Sequence, residues 1–194
     1  MKKARRFKFL REGLKSEHNG FQWDFFSWHK TECLKLCHGF NCSEKILDAL
    51  EYVKGEILAE VEGRGKHYIG DDKSTWPEMR IIKAWKWQKQ DSVALSIFAA
   101  DLVIDIYEKQ YPSDGRPRKA IEIAKAWLLN PSKENRDAAR AAGAAGAAGA
   151  AGAAGAAAWA AGAAARAAGA ARAAVLDKIN IWLLTHLTDM EEWQ

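Results

Sequence analysis

The stretch Thr75-Trp-Pro-Glu-Met-Arg-Ile-Ile-Lys-Ala-Trp85 decides how the first half of this chain is read. Thr75, followed three residues later by Glu78, has the form of a capping box, and Pro77 sits where a first helical turn tolerates it. Met79, Ile82 and Trp85 then recur at three-residue intervals, as residues on one helix face do. The stretch predicts a helix. Toward the N-terminus the same logic holds. Ser43 supplies an N-cap, Ile46, Leu47, Leu50, Val53, Ile57, Leu58 and Val61 keep helical spacing, and Gly63 offers a C-terminal stop. Residues 64–74 read as a connecting loop. Its Gly63-Arg-Gly-Lys-His lacks the spacing of a phosphate-binding loop.

Toward the C-terminus, Ser92 caps a helix that buries Val93, Leu95, Phe98, Leu102, Val103 and Ile106 and stops before Tyr111-Pro112. Pro117 opens another, running through Ala120, Ile121, Ala124, Trp127 and Leu128 to Asn130-Pro131. Ser132 caps the entry to Ala138–Ala174, which is almost pure alanine interrupted by seven glycines from Gly143 to Gly169. Alanine has the highest helix propensity, and each interior glycine costs roughly 1 kcal/mol against it. One helix from Asp137 to Ala174 would be about 57 Å long. A helical hairpin within 132–188, turning among the glycines, fits a chain of this size better. Val175, Leu176, Ile179, Trp182, Leu183 and Leu187 close the chain with its strongest amphipathic stretch.

No segment reads as strand. The expected fold class is all-α: a helical bundle with long alanine-rich helices. The expected division is a basic and aromatic segment at 1–42 and a bundle domain at 43–194, with one continuous domain 1–194 as the alternative. At 194 residues the chain can bury a substantial core, and its nine tryptophans supply much of the bulk. No apolar run reaches a membrane span, and the basic first residues lead into no signal-peptide core, so a cytoplasmic protein is expected. Three cysteines suit a reducing compartment better than a disulfide framework.

Three groups of side chains carry candidate chemistry. Residues 1–15 hold Lys2, Lys3, Arg5, Arg6, Lys8, Arg11 and Lys15 against Glu12 alone, either a solvated terminus or an arm for phosphates. The aromatic run Phe21-Gln-Trp-Asp-Phe-Phe-Ser-Trp28 follows, either a core plug or a stacking surface. His29, Cys33 and Cys37 would share a helix face and form a weak candidate for zinc. No Cys-x-x-Cys pair accompanies them, and reduced, half-buried thiols are the plainer reading. Asp101, Asp105 and Glu108 run along one side of their helix, and Arg116 and Arg118 follow in the next turn. These five are the candidate partner-binding residues, with local salt bridges as the ordinary alternative. No cofactor is expected, and no arrangement reads as catalytic.

The run Asp114-Gly-Arg-Pro-Arg-Lys-Ala-Ile-Glu-Ile-Ala-Lys-Ala-Trp127 lies between a helix ending Tyr-Glu-Lys-Gln-Tyr-Pro112 and the alanine-rich segment. Together they resemble the alanine-rich, all-helical immunity-protein family of bacterial polymorphic toxin systems, over about residues 85–187. The resemblance implies a non-enzymatic protein that docks on a toxin and blocks it. The acidic ridge at Asp101, Asp105 and Glu108 would suit a basic toxin. The alternative from the residues themselves is a nucleic-acid- or nucleotide-binding helical protein using the basic N-terminus. Pairing of alanine faces between chains, a homo-oligomer, is the third arrangement.

Overall fold

The computed structural model describes residues 5–17, 19–32, 39–52, 55–135, 137 and 169–193. The chain divides into two compact units. Unit 1 comprises Met1–Gln88 and Asn180–Gln194, and unit 2 comprises Lys89–Ile179. Unit 2 is helical where described. Unit 1 is built on two antiparallel sheets, which overturns the all-α expectation.

The first sheet has the order β1-β4-β7-β2, with β1 Arg6–Leu10, β2 His29–Lys30, β4 Ile57–Arg64 and β7 Glu78–Lys86. The second has the order β3-β6-β5, with β3 Phe40–Cys42, β5 Tyr68–Ile69 and β6 Ser74–Trp76. Helix α1, Ile46–Tyr52, stands between β3 and β4. The expected helix from Ser43 to Gly63 is therefore a short helix and then a strand. Gly55 lies after the break, so close to β1 that a Cβ there would sit 2.2 Å from the Leu10 carbonyl oxygen. Beyond it Ile57, Ala59 and Val61 alternate onto the core face. Ser43 does not cap α1. It exchanges backbone hydrogen bonds with Phe7 (2.7 and 2.9 Å) and so ties the end of β3 to β1. The N-terminal turn of α1 is met instead by Asn180, whose Oδ1 accepts from the Leu47 N–H at 3.2 Å.

The expected helix after Thr75 is β6 followed by β7. The apparent three-residue period of Met79, Ile82 and Trp85 comes from a β-bulge. Glu60 faces Lys83 and Val61 faces Ile81, leaving Ile82 as the extra residue on β7. Met79 and Ile81 point into the core before the bulge and Ala84 after it, so the strict period of two is lost from the sequence. Three short pieces line the remaining edge of β7. β2 pairs at Glu78 and Met79, the Phe26 N–H donates to the Ile81 carbonyl at 2.9 Å, and residues 191–193 pair with Ala84 to Lys86.

The core of unit 1 lies between the sheets. Leu10, Ile57, Ala59, Val61, Met79, Ile81 and Ala84 from the first meet Phe40, Cys42 and Trp76 from the second, with Leu14 and Trp23. The aromatic run thus supplies core at Trp23, while Phe26 is exposed. Trp28 lies against two guanidinium groups, with Arg64 Cζ 4.1 Å and Arg80 Cζ 4.7 Å from its ring. On the other face of the first sheet Phe7, Phe9, Leu58 and Trp85 are buried, and α1 packs along β1. Unit 2 contains α2 Lys89–Asp101, α3 Ile104–Gln110 and α4 Arg116–Leu129, with Ile97, Ile104 and Ile121 as its core cluster. The single helix expected through Ile106 is broken at Leu102-Val103, and Ile106 faces solvent. Pro117 opens α4 as expected, and the Ser132 hydroxyl accepts from the Asn135 N–H at 3.1 Å. The last helix, α5 Gly169–His186, begins in unit 2 and ends in unit 1. The alanine block from 138 to 168, and with it the expected hairpin turn, lies outside the described residues.

Two predictions follow from the unit 1 core. A Cβ at Gly63 would fall 2.3 Å from the Trp76 ring. Gly63→Ala is therefore expected to destabilise the protein by about 1–3 kcal/mol, read from urea unfolding midpoints. An unchanged midpoint would show that Trp76 moves aside freely. Lys8 points to the same face as Leu10, its Nζ 3.1 Å from the Asn41 carbonyl and 5.8 Å from the centre of the Trp23 ring. Desolvation lowers its pKa from 10.5 to about 8, against a smaller opposing effect of Cys42. The folded chain then binds fewer protons than the unfolded chain between these values, so this group makes stability rise with pH across that window. The rise is at most about 3 kcal/mol and should disappear in Lys8→Met, which should also be the more stable protein at neutral pH. Parallel pH–stability curves for the two proteins would refute this.

Candidate functional site

The five residues singled out in the sequence all fall in unit 2, where the fold brings Arg118 to Asp105 and Glu108, while Arg116 and Asp101 pair with residues outside the five. Asp101 ends α2, Asp105 and Glu108 lie on α3, and Arg116 and Arg118 begin α4. The turn between α3 and α4 lays the start of α4 beside α3. Arg118 then reaches back to Glu108 through two hydrogen bonds, Nε to Oε1 at 2.5 Å and Nη2 to Oε2 at 2.6 Å, and to Asp105 Oδ1 at 3.0 Å. Such two-point contacts hold a planar guanidinium in one orientation. Arg116 grips Asp114 in the same way, with both contacts at 2.7 Å. One turn farther along α4 from Ile121, Lys125 Nζ lies 2.7 Å from Asp101 Oδ2.

Hydrogen bonding sets the proton affinities of this network. The Arg118 hydrogen bond holds Glu108 below the usual carboxylate range. The hydrogen bond from Arg116, then that from Tyr107, holds Asp114 far below it. Both arginines are raised in turn, Arg116 first by its bond to Asp114 and Arg118 first by its bond to Glu108. The Tyr107 hydroxyl donates to Asp114 Oδ2 at 2.8 Å, and this bond raises the phenol pKa. Glu108, Asp114, Arg116 and Arg118 therefore keep their ionised forms through the neutral range.

The sequence reading missed Asp114, Tyr107 and Lys125 as members of the network. Arg118 and Glu108 stand ten residues apart across a turn, beyond any helical spacing rule. It also assigned Ile106 to the core, whereas Ile106 is 51% exposed and Tyr111 41% exposed. Tyr111 leans on Tyr107, with ring centres 4.9 Å apart. The stretch 105–118 thus presents one aliphatic and one aromatic side chain among fixed ion pairs.

The other two candidate groups look different in the fold. Within the basic N-terminal segment Arg5 pairs with Glu60 at 2.7 Å, Arg6 lies 3.7 Å from Glu44, Arg11 pairs with Glu17, and Lys8 turns inward. His29 sits in β2 against the rings of Phe21 and Trp23, 5.2 and 5.3 Å between centres. Its Nε2 is 3.3 Å from Asp24 Oδ1, an ion-pair distance without hydrogen-bond geometry. Cys33 and Cys37 lie outside the described residues, so the full triad is not formed from described positions. Among the described residues no group of three or more His, Cys, Asp or Glu side chains is placed to hold a metal ion. Cys42 is a free, buried thiol whose pKa burial pushes up. No helix among the described residues is long and apolar enough to cross a membrane.

No family model, curated protein or solved structure matches the chain. Nothing in these comparisons points to a toxin–antitoxin or immunity role, and the two sheets of unit 1 depart from the all-helical fold that such a role was inferred from.

The ridge generates one direct test. Replacing Asp114 by Asn removes the charged acceptor of Tyr107, so the phenol should ionise at lower pH than in the parent protein. Tyrosine-selective NMR titration would read the shift. An unmoved Tyr107 curve would mean that the Asp114 contact is absent in solution.

Proposed function

We propose that this is a non-enzymatic binding protein that docks a protein partner on the α3–α4 ridge of unit 2. The observation that carries the reading is the pairing of exposed Ile106 and Tyr111 with an ion-pair frame that is already ordered. Interfaces draw most of their binding energy from a few apolar or aromatic anchors ringed by polar groups that exclude water. Prior ordering of Arg116 and Arg118 lowers the entropy lost on docking. The carboxylates of Asp101, Asp105, Glu108 and Asp114 accompany Arg116, Arg118 and Lys125. A phosphate backbone brought to this surface would meet these carboxylates, so a protein fits it better than a nucleic acid.

The basic N-terminus supports the same choice. Four of its cationic side chains have partners inside unit 1, whereas phosphate binding draws on cations free to release counterions.

The reading is tested by affinity capture from the cells that make the protein, comparing the parent with an Ile106→Glu, Tyr111→Ala variant. A protein captured by the parent at stoichiometric level, resistant to nuclease and lost from the variant, is the expected result. Affinity should fall by about tenfold or more. Retention of the same companion by the variant would move the interface off the ridge. Capture of nucleic acid, released steeply by salt, would replace the proposal with the alternative.

A further inference from the structure

Beyond the bulge, the edge of β7 is covered by residues 191–193, which follow α5 in the chain. The Lys86 N–H donates to the Glu191 carbonyl at 2.9 Å, and the Trp193 N–H donates to the Ala84 carbonyl at 2.9 Å. These two bonds bracket Trp85 and Glu192, which face each other as an antiparallel, non-hydrogen-bonded pair. The alternation of side chains along a strand then sorts the contacts by face. On one face Glu192 pairs with Lys83, beside Trp85. On the other Glu191 pairs with Lys86, and Trp193 packs against the core that includes Ala84. Lys86 Nζ also lies 6.0 Å from the centre of the Trp193 ring.

Backbone bonds of this kind accept any extended segment, so selection rests on the side chains. The edge offers one lysine on each face and an apolar place beside Ala84. It fits two adjacent carboxylates followed by an aromatic ring. A slip of one residue would carry that ring to the face of Lys83 and off the core. The covering segment is also held lightly. Its two glutamates and their lysines are 41–57% exposed, a setting in which ion pairs add little and salt screens them. Beside these stand two backbone bonds and one half-buried ring. Segments with few buried contacts open locally at a cost well below that of global unfolding.

We propose that the edge of β7 from Lys83 to Lys86 is a docking seat for an extended peptide segment of acidic-acidic-aromatic pattern, and that residues 191–193 fill it as a releasable strap. Opening the strap bares the Lys86 N–H and the Ala84 carbonyl, together with both lysines and the place of the Trp193 ring. The incoming segment adds as a strand antiparallel to β7, in the register that the strap itself displays. Two carboxylates meet Lys83 and Lys86 on opposite faces, and the ring closes the core beside Ala84. The strap is tethered and competes at an effective concentration on the order of millimolar, so a free segment gains the seat when the strap is weakened. The seat uses unit 1 alone and does not depend on the ridge of unit 2.

Amide hydrogen exchange of the full chain, followed residue by residue by NMR, tests both parts. Corrected for intrinsic rates, the Lys86 and Trp193 amides should exchange about tenfold or more faster than the neighbouring Trp87 amide, which bonds the Glu56 carbonyl at 2.7 Å. Added salt should speed the first two and leave Trp87 unchanged. Glu191→Lys combined with Glu192→Lys should speed the Lys86 amide by about another tenfold. A synthetic peptide of residues 188–194 at millimolar concentration should then protect it again, and the same peptide carrying Trp193→Ala should not. Trp193→Ala in the chain itself weakens the strap without reversing charge, and the peptide should protect Lys86 there as well. Lys86 and Trp87 amides that exchange together in the parent chain at every salt concentration would overturn the strap. A parent peptide that protects Lys86 in neither variant, or no better than its Trp193→Ala form, would overturn the seat.

Discussion

Everything in unit 1 hangs on the pairing of β4 with β7. These are the two longest strands, and they run side by side from Ile57–Lys86 to Arg64–Glu78. β1 adds to the far side of β4, and the short pieces of chain at β2, Phe26 and residues 191–193 complete β7. The bulge at Ile82 is what makes this central pair serve two cores. It adds twist, and it lets Met79 and Ile81 before it share a face with Ala84 after it. Without the extra residue, every side chain beyond that point would change faces.

A second constraint is the close approach of the two sheets at Gly63. The Trp76 ring occupies the space that a side chain at Gly63 would need, and its indole N–H donates to the Ser74 hydroxyl at 2.8 Å. The His67 ring stacks on the same indole at 3.6 Å, and the Arg6 guanidinium lies 4.6 Å from it. One tryptophan thus joins both sheets and draws in residues from three parts of the chain. The buried Thr75 hydroxyl is satisfied in the same economical way. The Thr75 hydroxyl donates to Asn41 Oδ1 at 2.6 Å, and Asn41 in turn bonds the Gly39 carbonyl at 2.8 Å.

The charged residues follow one rule in both units. On the first sheet Glu60, Glu62 and Glu78 each hold an arginine, respectively Arg5, Arg80 and Arg64. In unit 2 Glu108, Asp114 and Asp101 each hold a cation from α4 or its approach. Exposed pairs of this kind contribute little stability one by one. Their effect is to fix the positions of long side chains, and that is what gives the α3–α4 ridge its ordered frame. A chain with a formal charge of +4 therefore shows few bare cations in its paired regions, which is why net charge alone did not reveal its surface.

How much was legible in the sequence differs between the two units for a physical reason. A helix closes its hydrogen bonds within four residues, so its signals are local. Pro117 at the start of α4, Asn130-Pro131 at its end, Ser132 as a cap and the apolar spacing before Leu187 could all be read from neighbours in the chain. The five ridge residues could be named from the same local patterns, but not the contacts of Arg118 with Glu108, which depend on how the α3–α4 turn is made. A strand finds its partners elsewhere. Ile57 to Arg64 and Glu78 to Lys86 contain enough apolar residues at three- and four-residue spacing to pass for helix, and the bulge erased the alternation that marks a strand. The sequence by itself determined α4 and the helix breaks at Pro112 and Pro131, because those rest on interactions between near neighbours. Only the tertiary structure decided that Ser43 joins Phe7, that Gly63 must admit Trp76 and that β4 lies against β7, because those contacts exist only once distant segments have met.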